Sequence, residues 1–523
     1  MLALFTAVFP YVKGMYSTTY RSYQHEERRN SDPKLGMETV PEDGILEDVD
    51  FETHLPLVIL DMGGKEPQNI FKMVGDGQAR DYVDPNQTEE WIDLRLSVID
   101  NSNYVNHLSD TPTFTNTGRI KLRGASSRSF KKRQYKIKLL NERGEELEAP
   151  LLGMGADEDW VLSNSILDAT QLRNYIAYNL GGQLMPFTPE CRFCEVLIKN
   201  GEEYRYDGLY LLTEPIKKGR GHVEISDYKP GQKRPSVLIA RDRANFTAPT
   251  LSTWASDSQL TYGWFTFQYP REVDITEELT NTMEDELSLI EKTLYSDDLS
   301  TFLNYDKYID VDSFVDYFVI NEYFMNYDSG DNSTYYYQDP SRKLTMGPLW
   351  DYDNCWDNYK LAAGGAEYMV MPERPWFEKL VRDPLFVDKV VRRYRALRTG
   401  IFSEKNVEDF IDSTVAYLGN AVKRDRSRWR KTYEEEHRLA LVEEGHGYVI
   451  DRNRDTYEEE LVRFKDMERG HGRWLDQYMD DYLSAFVGEG IEERTRETYS
   501  GLAFAFILAF IASVLLIGRR INS

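Results

Sequence analysis

Cysteine is almost missing from this chain: 523 residues carry three, Cys191, Cys194 and Cys355. A disulfide scaffold is excluded, and so is a four-thiolate zinc site built by this chain alone. The Cys191-x-x-Cys194 spacing is that of a redox or metal half-site, and we read it instead as two small residues at the start of a strand or a local disulfide. Positive charge is also in deficit. Lys and Arg number 63 against 88 Asp and Glu, a net charge of −25. With a pI near 4.9, a general nucleic-acid binder is disfavoured, because phosphate contacts need clustered positive charge. A mean hydropathy of −0.57 excludes a polytopic membrane protein. Only seven histidines occur, with no His-Glu-x-x-His, no Gly-x-Ser-x-Gly elbow and no Walker A loop. The repeated tripeptides Gly445-His446-Gly447 and Gly470-His471-Gly472 read as loop histidines in a helical segment.

What is present suffices for a large core. The hydrophobic share is 41% and the aromatic share 13%, which rules out wholesale disorder. The length allows roughly two to four domains. One uninterrupted apolar run stands near the end: residues 501–518 carry no charge or proline and are followed by Arg519-Arg520. That meets the length of a single membrane helix. By the positive-inside tendency the tail, 519–523, is cytoplasmic and the body extracytoplasmic. Leu2 to Val12 is a second apolar stretch, a signal segment without the usual basic lead. Without export, the alternative is a tail-anchored protein facing the cytoplasm.

The pattern predicts five parts: a hydrophobic segment and flexible polar lead-in over 1–50, a β-rich lobe over 51–275, a helical lobe over 276–490, a transmembrane helix over 501–518, and the short basic tail. Strand-like runs occupy 55–60, 91–99, 119–122 and 135–140. In the last, Tyr135, Ile137 and Leu139 alternate with Lys136 and Lys138, which places a lysine pair on one face. A helix is predicted over 168–181. A hairpin is predicted over 195–206 with its turn at Asn200-Gly201, and a further strand, 209–212, follows and ends at Glu214. Val311, Phe314, Val315, Phe318 and Val319 form an amphipathic helical stripe, and 376–487 reads as a helical bundle. Strands first and helices later is an α+β order.

Two stretches carry chemistry. In 311–358 a helix leads to a loop with Asp328 and Asn332, then a hairpin over 333–346, then a loop with Asp351 and Asp353. A hairpin brings its ends together, so the four side chains can share one site. Protein kinases present a catalytic Asp, a metal-binding Asn and a metal-binding Asp in this order; the alternative for Asp351-x-Asp353 taken alone is solvated turn acids in an acidic protein. The second stretch, 121–138, holds eight basic residues in an acidic chain. Its Gly-Ala-Ser-Ser turn, with Ser126 and Ser127, offers N–H groups and hydroxyls to a phosphate. The alternative for this stretch is a solvated strand edge protected by lysines.

With those residues in view, the chain resembles the spore-coat CotH protein kinase family. Arg123-Gly-Ala-Ser-Ser127 with Lys131-Lys-Arg-Gln-Tyr-Lys-Ile-Lys138 is similar to its first block. Trp160-Val-Leu with Asp168-Ala-Thr-Gln-Leu-Arg173-Asn174, and Gly208-Leu-Tyr-Leu-Leu-Thr-Glu214, resemble the next two. Asp328…Asn332 and Gly347-Pro-Leu-Trp-Asp351-Tyr-Asp353 resemble the last two. Ala125 departs from the asparagine usual there. The resemblance implies an atypical protein-kinase-like fold that uses ATP and divalent metal, magnesium or manganese, to phosphorylate serines of a protein substrate. It makes Asp328 the catalytic aspartate and Asp351 the principal metal ligand, with Asn332 and Asp353 in support. Lys132 or Lys138 with Arg123 would hold phosphates, and Glu214 would pair a lysine. A surface binding or adhesion module on the same scaffold, without turnover, is the alternative.

Overall fold

The computed structural model describes residues 21–46, 50–74, 79–84, 91–124, 126–164, 166–245, 249–260, 263–358, 365–435 and 456–487. The apolar segments at 2–12 and 501–518, the basic tail, Ala125 and the His446 tripeptide lie outside the described residues. Among the described residues no helix is long and apolar enough to cross a membrane.

Alternating burial builds the first half. Eight strands form one sheet: β1 (Ile45–Leu46), β2 (Leu57–Asp61), β3 (Ile92–Ile99), β4 (Phe114–Leu122), β5 (Tyr135–Leu140), β6 (Asp159–Ser163), β7 (Cys191–Asn200) and β8 (Glu203–Thr213). β8, β6, β5, β4, β3, β2 and β7 lie in that order, and β7 also pairs with β8, so the sheet closes into a barrel with β1 added beside β8. Every pairing is antiparallel except β2 with β7. Val58, Leu96, Ile120, Ile137, Trp160, Cys194 and Leu212 fill its interior. β5 has the bounds and the two faces expected from its sequence, Ile137 and Leu139 inside, Lys136 and Lys138 outside. The β7–β8 turn is one residue later than expected: Asn200 pairs Glu203, leaving Gly201 and Glu202 as the loop.

Cys191 and Cys194 are free and buried. Three residues apart on one strand, they face opposite sides, Cys194 into the barrel and Cys191 into the second core. That removes both the local disulfide and the shared metal half-site.

A second sheet joins β9 (Val237–Asp242), β10 (Trp264–Tyr269), β11 (Thr334–Gln338) and β12 (Thr345–Met346) in the order β10-β9-β11-β12. Strands from both sides of residue 275 therefore share one sheet. Six longer helices follow: α1 (Glu277–Leu294), α2 (Val311–Tyr323), α3 (Pro384–Arg398), α4 (Glu404–Leu418), α5 (Asn420–Arg428) and α6 (Tyr457–Ser484). α2 is buried nearly all round from Phe314 to Tyr323, not striped, because α3, β12 and the barrel-side core enclose it. Gly470-His471-Gly472 lies within α6 rather than in a loop, and His471 is fully buried.

The polar lead-in over 21–46 is packed, which corrects the flexible reading. Gln24 meets the β7 backbone as a strand would, donating to the Phe193 carbonyl at 2.9 Å and accepting its N–H at 2.6 Å. Arg28 binds Asp100 through two 2.8 Å bonds. Further on, the Pro33 carbonyl accepts the Asn420 N–H at 2.8 Å, and Met37 accepts from Arg424 at 2.7 Å. Polar side chains that satisfy buried backbone groups supply here what apolar residues supply elsewhere.

Candidate active site

α2 ends at Tyr323, and the chain turns into a loop held by its own carbonyl groups. The Asp328 carbonyl accepts from the N–H of Asp331 at 3.2 Å and of Asn332 at 2.8 Å. The loop is suspended from Asn321 on α2, whose Oδ1 accepts from Asn326 at 3.1 Å. The same oxygen accepts from the Tyr352 hydroxyl at 2.8 Å. Tyr352 lies between Asp351 and Asp353, so one buried amide anchors both acidic loops.

The Asp351 loop has a second set of supports from the 168–181 segment, which forms the expected helix only from Arg173 onward, first α then π. Asn174 accepts the Tyr352 N–H at 2.7 Å, and the Tyr178 hydroxyl accepts the Asp351 N–H at 3.1 Å. Arg173, paired with Asp168, donates to the Cys355 carbonyl at 2.8 Å. Asp351 itself has φ +64° and Ser333 φ +48°, conformations that cost energy in non-glycine residues and concentrate at functional sites. They face one another, the Ser333 hydroxyl donating to Asp351 Oδ2 at 3.1 Å.

Asp328 is ringed by protein while one edge stays open. Asn354 donates to its Oδ2 at 2.7 Å and Asn332 to its Oδ1 at 3.3 Å. Burial pushes its carboxyl up to about 6, the Asp351 charge adds to that, and Arg243 opposes it. Asp328, Asn332 and Asp351 are thus brought together. Asp353 is half-buried two residues beyond Asp351, its carbonyl accepting from Asn358 at 2.6 Å.

The basic stretch is divided. Arg123 reaches the acidic loops, its guanidinium 5.1 Å above the Trp350 ring and bonded to Gln134 at 3.0 Å. Trp350 in turn stacks on Tyr178 at 5.9 Å. Ser127 begins below Gly124, whose φ is +95°, and a Cβ there would meet the Ser127 hydroxyl at 1.9 Å. The Ser126 side chain lies outside what the structure describes. Lys132 is buried and bonded to Asp425 at 2.7 Å and to the Leu209 carbonyl at 3.0 Å. Gly208 makes room for this junction, since a Cβ on it would sit 2.4 Å from Asp425. Lys138, on the outer face of β5, pairs with Glu146 at 2.7 Å and Asp159 at 3.4 Å. Glu214 accepts the Glu190 N–H at 2.9 Å and, among the described residues, pairs no lysine; burial raises its carboxyl.

Among the described residues no three His, Cys, Asp or Glu side chains gather as a ready metal cluster. The donors that do converge are carboxylate and amide oxygens, and the buried Asn354 Oδ1 has no hydrogen-bond partner among the described residues. Such a set suits a hard divalent cation that takes one or two carboxylates from protein and completes its shell with water and phosphate oxygens. Asn321, Asn354, Tyr178 and Ser333 were missed in the sequence. The one signal for them was an amide, Asn321, directly after the apolar run Phe318-Val319-Ile320.

Compared with models of protein families, residues 120–474 match the family described as CotH kinase protein. No curated protein matches the chain.

Proposed function

This chain belongs to the CotH kinase protein family, and from that premise we propose that it is an atypical, kinase-like protein serine kinase dependent on ATP and on magnesium or manganese. The single observation that carries this reading is the shared suspension of Asp328 and Asp351 from Asn321. Two carboxylates held close, one with its pKa raised toward neutrality, are costly without a ligand.

Asp328 is the group that orients a seryl hydroxyl and takes its proton. A carboxyl raised to about 6 is a better base at neutral pH than an ordinary aspartate, yet is still ionised there. Asn354 and Asn332 fix which oxygen faces the acceptor. Asp351, with Asn332 and Asp353, would hold the cation, which when bound neutralises the triphosphate and the charge that develops on transfer. Arg123 and the Ser126–Ser127 turn would hold the phosphates, and Lys138 would join them on leaving its Glu146 and Asp159 partners. Lys132 has a structural partner in Asp425, and a phosphate role would require it to leave that pair. The apolar segment 501–518 would hold the protein to a membrane by one span, with the catalytic body outside and a cytoplasmic tail-anchored placement as the alternative.

The test is transfer of labelled phosphate from ATP to a serine-containing acceptor protein, paired with calorimetric ATP binding with and without magnesium. Asp351→Asn should weaken metal-dependent ATP binding. Asp328→Asn should leave binding near wild type and lower the rate about 10²–10⁴-fold, the worth of a positioned base. Wild-type transfer by both variants sinks the reading. A wild-type chain that binds ATP with metal and phosphorylates nothing favours the binding-module alternative.

A further inference from the structure

β9 ends where the second sheet meets the Asp328 loop. It runs antiparallel to β11, and the last pair of their register is Arg241 with Thr334. Asp242 and Arg243 follow directly on one side of that pair, Ser333 and Asn332 on the other, so β9 delivers Arg243 to the loop that carries Asp328. Packing agrees: a Cβ on Gly263 would lie 2.4 Å from the Asp331 carbonyl oxygen and 2.9 Å from the Arg241 side chain. The end of β9 and the loop are therefore in close contact.

Other arginines border the loops: Arg241 is fully buried, its guanidinium 5.3 Å from the centre of the Phe265 ring and closed off from a ligand, and three more have side-chain or backbone partners. Arg374 donates to Asp331 at 3.1 Å and to the Tyr327 carbonyl at 3.0 Å. Arg123 is bonded to Gln134, and Arg173 to Asp168. Arg243 is half-buried, its N–H donating to Asp242 at 2.7 Å, while its guanidinium makes no hydrogen bond or ion pair among the described residues. A half-buried guanidinium with no hydrogen bond among the described residues, on the strand that ends at the Asp328 loop, is arranged for an anion that arrives with the substrate.

We propose that Arg243 is a further catalytic residue, its guanidinium lying against the γ-phosphoryl oxygens during transfer. This rests on the kinase reading above. In the step, the bond from the γ-phosphorus to the β–γ bridging oxygen breaks and its electron pair leaves with ADP. The seryl oxygen bonds to phosphorus as its proton passes to Asp328. Charge spread over three equatorial oxygens suits a planar, permanently charged fork better than a point charge.

The experiment uses the full chain with Arg243→Ala and Arg243→Lys, reading single-turnover phosphate transfer, AMP and ATP affinity, and the pH dependence of the rate. Arg243→Ala should lower transfer about 10³-fold, as loss of a transition-state arginine does, while AMP affinity stays within about twofold of wild type because AMP lacks the contacted group. Arg243→Lys should recover part of the rate. The groups facing Asp328 are Asp351, Asp242 and Arg243, with Asn332 and Asn354 as amides. Removing the cation among them should move the acidic limb of the profile to higher pH. Should Arg243→Ala fail to fold, Arg243→Gln supplies the same reading. Transfer by the neutral variant at the wild-type rate, with an unmoved limb, overturns the proposal and leaves the kinase reading standing. A wild-type chain that transfers no phosphate overturns both.

Discussion

Asn321 accepts the Tyr352 hydroxyl at 2.8 Å, and this bond crosses from the helix that precedes the Asp328 loop to the middle of Asp351-Tyr352-Asp353. The hairpin between the loops sets their approach, and the amide sets their final spacing. A buried side chain that serves two loops at once couples their positions, so disturbing it moves both acids.

Asn321→Leu should therefore cost more function than stability. It leaves the Asn326 amide and the Tyr352 hydroxyl without their shared acceptor, a penalty of about 1–3 kcal/mol. Chemical denaturation reads that loss. Metal-dependent ATP affinity and transfer should fall in a protein that is still folded, and wild-type function in a destabilised Asn321→Leu chain would refute the coupling.

Asp328 should leave a mark on stability as well as on rate. Its carboxyl rises from the ordinary 3.8 to about 6 on folding, with burial the main cause and Asp351 next. The folded state then holds the proton more tightly than the unfolded chain between about pH 4 and 6. Stability is lost as pH climbs through that window, and the penalty is complete above it. Asp328→Asn removes the penalty, so the variant should be more stable than wild type at pH 7 by about 2–3 kcal/mol at most, and no more stable at pH 4. Denaturant midpoints at the two pH values check this.

Lys132 and Lys138 should separate cleanly. Lys132→Ala strands Asp425, which also binds the Leu209 N–H at 2.8 Å, Gln171 at 2.6 Å and Tyr433 at 2.8 Å. Breaking a buried pair in this way costs about 3–5 kcal/mol. Lys138→Ala removes a partly exposed pair worth about 0–1 kcal/mol. Melting curves distinguish them. A change in ATP affinity can be assigned to phosphate contact only for the variant whose fold is untouched, which should be Lys138→Ala.

The three thiols should be silent in the folded protein. Burial raises Cys191 to about 12 and holds Cys194 and Cys355 up as well, and the thiolate is the reactive form. Alkylation at pH 8 should label none of them until denaturant is added, and then all three. Rapid labelling of the native chain would contradict the placement of the cysteines.

Much of this was legible from period and order. The alternation of Tyr135 to Leu140 fixed a strand and both its faces, and the succession of helix, acidic loop, hairpin and acidic loop brought Asp328, Asn332 and Asp351 together. What escaped had a common cause, that its partners are remote in the chain. β9 carries no alternation, because Val237, Leu238, Ile239 and Ala240 are buried on both faces. Its pairing with β11 therefore appears only once the sheet exists. Lys132 reads as a phosphate-holding base in a basic stretch, and only Asp425, 293 residues on, reveals it as a buried tie. Residues 21–46 read as linker because their buried groups are polar, and composition alone does not distinguish a solvated glutamine from one serving a strand edge.

That packed leader also bears on how the chain is made. Its Pro33 carbonyl waits for Asn420, Met37 for Arg424, and the Val40 N–H for the Ser427 hydroxyl at 2.9 Å. At about 5–20 residues per second, the ribosome supplies α5 some 20–80 seconds after it has supplied the leader. Through that interval the stretch from Pro33 to Val40 waits for its partners, although Gln24 and Arg28 find theirs earlier, on Phe193 and Asp100. The leader's stretch of charged and polar residues, the trait that made it resemble a linker, is what lets it remain in water without aggregating while the rest of the protein is being built.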